Sequence, residues 1–155
     1  MKASRLAWLL ATVGGVGKVP VIPGLMGTLV GAAIAYGLRE ATAWSLGLIL
    51  LGLGAACWAI PQIEAALGQA DPSRIVIDET LGILVAYWAV PWYWPAMLAG
   101  FVMFRVLDVM KPWGLRRLER LPSPHGVLWD DLACGLLVNL WLQVWVRGFV
   151  EKSVV

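Results

Sequence analysis

Charge is scarce in this chain, and so are the side chains that do soft chemistry. Of 155 residues only 14% are Asp, Glu, Lys or Arg, with one histidine and two cysteines. An ordinary soluble domain is about one quarter charged, so a free-standing globular protein is excluded. Cys57 and Cys134 lie in apolar stretches without metal-ligand or disulfide-framework spacing, which leaves them as small buried hydrophobes. Low-complexity linkers and internal repeats are also missing, so a single domain over 1–155 is expected.

What fills the space is hydrocarbon. The chain is 60% hydrophobic with a mean hydropathy of +0.77. Residues 41–63 and 80–104 carry no formal charge, and each exceeds the roughly 20 apolar residues that cross a bilayer. The fold class is therefore all-α, a polytopic membrane bundle of about four membrane helices. Helices are expected near 25–38 and 43–66, with a last one from about Asp130 to Val146. Pro91 and Pro95 flank Trp92-Tyr93-Trp94 and must break a helix, so 79–110 reads as a helical hairpin with arms near 79–90 and 96–110, either spanning or re-entrant. The N-terminus loosely resembles a signal peptide but lacks an A-x-A cleavage site, and is read as an interfacial or membrane-entering segment.

The cations are unevenly placed. Lys2, Arg5 and Lys18 precede the first apolar block, Arg74 sits in the central loop, and Lys111, Arg116, Arg117 and Arg120 sit in the next. The positive-inside rule assigns these segments to the cytoplasmic side of the membrane. Trp92, Trp94, Trp113 and Trp129 fall at the expected boundaries, where tryptophan belts form.

Five acids adjoin these apolar segments: Asp78, Glu79, Asp108, Asp130 and Asp131. Carboxylates beside hydrocarbon are costly unless something positive holds them. A divalent ion shared with an anionic substrate would do so, and oxygen ligands favour magnesium over zinc. Asp78-Glu79 and Asp130-Asp131 have a plainer reading as helix N-caps. Asp108 does not, because it falls near a helix end where the dipole disfavours it. Arg105, Asp108 and Lys111 recur every third residue and place a cation, an acid and a cation along one side of a helix, a pattern suited to phosphate. Small residues recur every fourth position at Gly27, Gly31 and Ala35, and again after Asp78 at Gly82 and Ala86, allowing close helix approach. Asp131, Gly135, Asn139 and Gln143 form a polar stripe on the last helix. His125 is expected in a loop, as a bystander or as an acid that protonates a leaving group.

In order, PVIPGLMGT, DPSRIVIDETLG, FRVLDVMKPWGLRRLER and GVLWDDLACG resemble the motifs of the bacterial phosphatidylglycerophosphatase A family, over residues 20 to about 140. The resemblance implies a multi-pass enzyme of the bacterial cytoplasmic membrane, its site facing the cytoplasm. Such an enzyme removes the terminal phosphate of phosphatidylglycerophosphate with Mg2+ as cofactor. It implies Asp78, Glu79, Asp108, Asp130 and Asp131 as catalytic and metal-binding residues, and Arg105, Lys111 and Thr28 as phosphate contacts. Leu25 stands where the family usually has threonine, so the first motif has one hydroxyl fewer, and Cys134 stands where alanine is common. The expected partners are a phospholipid and the bilayer, with no nucleic acid and with a homo-oligomer left open.

Rival chemistries lack their motifs. No arginine closely follows either cysteine, no D-x-D-x-T appears, and Pro122-Ser123-Pro124-His125 replaces the glycine of a P-S-G-H segment. D-G-x-x-A-R is missing as well. The non-enzyme alternative, a small cation-binding or transport protein, would spread its acids through the membrane depth, whereas these gather at helix ends.

Overall fold

The computed structural model describes residues 3–112 and 114–150. Six α-helices follow in order: α1 (Arg5–Ala11), α2 (Pro23–Gly37), α3 (Thr42–Leu67), α4 (Ile77–Tyr87), α5 (Trp94–Met110) and α6 (His125–Trp145). No strand occurs among the described residues, in agreement with the all-α expectation. Lys2 and Trp113 lie outside the described residues, and the side chains of Arg116 and Arg120 are likewise not described.

Proline and glycine set the boundaries. Pro23 opens α2, where its fixed φ suits a helix and its missing N–H is not needed. Gly68 closes α3 with φ +65°, a left-handed conformation that turns its amide onto the Glu64 carbonyl at 2.8 Å. The Glu64 carboxylate then accepts from the Asp71 amide at 2.8 Å and ties down the central loop. Pro91 and Pro95 cut the long apolar run into α4 and α5, so the expected hairpin is present with arms 77–87 and 94–110. The Tyr87 hydroxyl donates to the Met97 carbonyl at 2.6 Å and staples the arms together.

Among the described residues two helices are long and apolar enough to cross a bilayer by themselves, Thr42–Leu67 and His125–Gly148, and the expectation of about four membrane helices is met to that extent. At 1.5 Å per residue α2, α4 and α5 reach only about 22, 16 and 25 Å, short of the roughly 30 Å hydrocarbon core.

α4 is the central helix. All of its residues except Glu79 and Val85 are buried, and it packs mainly against α2 and α6. A Cβ on Gly27 or Gly31 would collide with Val76 or with Thr80 and Ile83, so the small stripe of α2 lies flat on α4. α1 is seated on α3 through the fully buried Ala7 and Ala11. The outer face of α3 is apolar, with Trp44 and Leu51 more than 70% exposed, a surface that hydrocarbon tolerates and water does not. Trp88 Nε1 donates to the Thr42 carbonyl at 3.4 Å, so the end of α4 and the start of α3 share one end of the bundle. The starts of α2, α4 and α6 and the end of α5 gather at the other.

Candidate active site

One helix start, one helix end and one helix interior deliver the acids. Asp78 and Glu79 occupy the first turn of α4 without a capping hydrogen bond from a side chain, stabilised there by the positive end of the helix dipole. Asp130 and Asp131 lie well inside α6, which starts at His125 rather than near Asp130. Pro124 precedes the helix and begins it early, since a proline at that point forfeits no hydrogen bond. The N-cap reading of Asp130-Asp131 is thereby removed. Asp108 falls in the last turn of α5, where the dipole is unfavourable as expected.

Backbone contact decides which acids meet. Gly82 and Gly135 are apposed so tightly that a Cβ on Gly135 would overlap the Gly82 carbonyl, and one on Gly82 would press on Phe104 and the Asp131 carbonyl. One helical turn earlier on each helix stand Asp78 and Asp131. Together with Glu79 they bring carboxylate oxygens within 4.8 Å of one another. Asp78 and Asp131 are buried and Glu79 is partly so. Asp78 Oδ1 and Glu79 Oε2 are buried without a hydrogen-bond partner among the described residues, a state that costs free energy unless a cation takes those lone pairs. Burial is the main cause that raises the Asp78 carboxyl above the usual carboxylate range. Burial, then the charge of Asp78, pushes Glu79 up as well. The residues fit a hard divalent ion. Three carboxylates converge, and the hard oxygen donors of Asp78 and Glu79 that lack a hydrogen-bond partner are the kind such an ion would take.

The other two acids are already held by cations. Arg105 Nη1 donates to Asp108 Oδ2 at 2.7 Å and to the Thr28 hydroxyl at 3.2 Å. Thr28 is fully buried and donates onward to the Gly24 carbonyl at 2.9 Å, so its observed contact is with Arg105. Lys111 forms an ion pair with Asp130 Oδ2. Two cation–carboxylate pairs therefore flank the three-carboxylate cluster.

Several contributors were not singled out from sequence. Gly24 admits the carboxylate of Glu79, which any side chain at that position would strike, and so brings the first turn of α2 to the site. Thr80 donates to the Gly27 carbonyl at 2.9 Å and locks α4 onto α2. The lower half of the polar stripe has a separate job. Asn139 Nδ2 bonds the carbonyls of Val85, Ala86 and Trp88 at 2.8–3.1 Å, and Gln143 bonds that of Ala89 at 3.1 Å, satisfying the broken end of α4. His125 is the first residue of α6 rather than a loop residue, and its Nδ1 accepts from Trp129 Nε1 at 3.1 Å.

A family model for phosphatidylglycerophosphatase A matches residues 9–146, a range that contains every residue of this site. The chain belongs to the phosphatidylglycerophosphatase A family. It is thus a phosphoric monoester hydrolase by family. The phosphatidylglycerophosphatase A of Escherichia coli (strain K12) is 35% identical over 137 residues, covering 84% of this chain and 78% of that one. Its namesake in Haemophilus influenzae is 30% identical over 147 residues, 89% of each. A Bacteroides thetaiotaomicron protein named provisionally as a phosphatidylinositol-3-phosphatase is 36% identical over 159 residues, 95% of this chain and 99% of that one. No solved structure matches.

Proposed function

We propose that this member of the family hydrolyses the terminal phosphomonoester of phosphatidylglycerophosphate, giving phosphatidylglycerol and inorganic phosphate, with Mg2+ as cofactor. The observation that carries the reading is the convergence of Asp78, Glu79 and Asp131, two of them with orphaned buried oxygens, between the Arg105–Asp108 and Lys111–Asp130 pairs. The names of the Escherichia coli and Haemophilus influenzae relatives support this substrate. The Bacteroides relative's name shares the chemistry, a phosphomonoester on a lipid headgroup, with another alcohol.

Asp78, Glu79 and Asp131 would hold the ion, which supplies positive charge to phosphate oxygens in the transition state. Arg105 and Lys111 take the remaining phosphate oxygens by exchanging a carboxylate partner for the substrate, a swap between like charge-assisted hydrogen bonds. Thr28 keeps Arg105 aimed while its partner changes. Two nucleophiles fit the residues: water that gives its proton to a nearby carboxylate, or an aspartate carboxylate that is transiently phosphorylated.

The apolar exterior and the gathering of Arg74, Lys111 and Arg117 in the loops at the site's end of the bundle support a multi-pass protein of the bacterial cytoplasmic membrane with its site on the cytoplasmic face. An ion pathway is disfavoured because the acids cluster at one end of the bundle instead of following its depth. The test is phosphate release from phosphatidylglycerophosphate by detergent-purified protein, with magnesium and after chelation. Release that is abolished by chelation and restored by magnesium is expected. No release, or release indifferent to chelation, overturns the reading.

A further inference from the structure

The seam between α2 and α5 is a groove. Near the site it is lined by Leu25, Val102, Arg105, Val106 and Val109 and is an open depression of about 400 Å3. Farther along it passes Leu29 and Ala33 to Tyr36, Trp92 and Trp94 and encloses about 480 Å3. Phe101 lines both stretches, so they adjoin along the seam. Its walls are helix faces, since Leu25, Leu29, Ala33 and Tyr36 recur at helical spacing on α2, as do Leu98, Val102, Arg105 and Val109 on α5.

The two ends differ in chemistry. Arg105, the one charged side chain lining the groove among the described residues, stands at the mouth and also binds Asp108 and Thr28. The far end is lined by the rings of Tyr36, Trp92 and Trp94, with centroids 5.2–5.4 Å apart. From Leu25 to Tyr36 the helix rises about 16 Å, roughly half of the 30 Å hydrocarbon core and therefore one leaflet deep. A transmembrane partner helix would want an apolar face twice as long. A cationic mouth, an apolar bore one leaflet deep and an aromatic floor match a lipid with an anionic headgroup and one extended acyl chain.

We propose that this groove is an acyl-chain subsite, holding one fatty chain of the substrate whose phosphate is received at Arg105. The inference rests on the lipid-phosphatase reading. It makes the α2–α5 seam the element that selects a long-chain lipid over a short-chain or water-soluble phosphomonoester.

The test fills the bore at an exposed position away from the acids. Ala33→Phe and the parent, both full-length and in the same micelles, are assayed on dioleoyl- and dihexanoyl-phosphatidylglycerophosphate. The substitution is expected to raise KM for the dioleoyl lipid about tenfold, leave its kcat unchanged and spare the dihexanoyl lipid, the pattern of lost uniform binding. An equal effect on both lipids, or none, overturns the subsite. A dioleoyl lipid bearing a diazirine near one chain end supplies a readout independent of turnover and of the variant's folding. Adducts are expected on residues 25–36 and 98–109. Adducts confined to the separate apolar groove between Leu118 and Leu136, or no adducts on residues 25–36 and 98–109, overturn it. A parent that hydrolyses neither lipid but is labelled in the seam refutes the phosphatase reading and leaves the lipid site standing.

Discussion

Gly135 of α6 rests directly on the carbonyl of Gly82 of α4, with no room for a Cβ between them. Because Asp131 and Asp78 lie one helical turn earlier, this contact fixes the separation of two acids that arrive from distant parts of the chain. Gly135→Ala should push the helices apart. Overpacking of this kind costs about 1–3 kcal/mol, so a lowered melting temperature in detergent is expected, together with loss of phosphate release larger than the unfolded fraction explains. Parental turnover in the folded variant would detach the acid geometry from this contact.

Asp131 and Asp130 are neighbours in sequence with different surroundings. Asp131 joins Asp78 and Glu79, whereas Asp130 is paired with Lys111. Asp131→Asn keeps the shape and removes a charged oxygen ligand, so residual activity should demand more magnesium than the parent. Asp130→Asn should leave magnesium demand close to parental while lowering the rate, because it disturbs Lys111. Magnesium titrations of phosphate release on both variants, beside thermal melts, check this. The same shift in both would merge the two roles.

Asp108→Asn removes the charge that faces Arg105 at 2.7 Å but leaves the Thr28 hydroxyl in contact with the guanidinium. Activity should fall about a hundredfold, the scale of losing a group that acts in the transition state, while the fold persists. The measurement is kcat on detergent-solubilised lipid. A folded variant with near-parental kcat would make the Arg105–Asp108 pair purely structural.

Ser73 and Ser123 are exposed in the loops beside the acid cluster. Cysteines placed there, in a background lacking Cys57 and Cys134, should resist a membrane-impermeant thiol reagent in intact cells and react after lysis. Labelling of both from outside would reverse the orientation proposed for the site.

The helices were legible because their signals are local. Pro23, Pro91, Pro95 and Gly68 mark boundaries through backbone sterics that act within a few residues, and the hairpin follows from them. The start of α6 was misplaced for a related reason. Two aspartates ahead of an apolar run look like a cap, but Pro124 and the turn after it begin the helix earlier, so that both acids move into its body. Hydropathy measures the apolar run and not the straight helix left after the prolines have cut it, so the hairpin arms 77–87 and 94–110 are shorter than the run that contains them.

Sequence by itself determined the residue types available for the chemistry: hard carboxylates, two cations at helical spacing from Asp108, and glycines one turn beyond Asp78 and Asp131. Those are properties of composition and of a 3.6-residue period. Only the tertiary structure decided that Asp78, Glu79 and Asp131 form one cluster, that Arg105 and Lys111 hold Asp108 and Asp130, and that Asn139 serves the end of α4 and not the site. These pairings join segments from 19 to more than fifty residues apart, or depend on which way a side chain turns. They follow from backbone approach at Gly24, Gly82 and Gly135, and no local pattern records which glycine meets which helix.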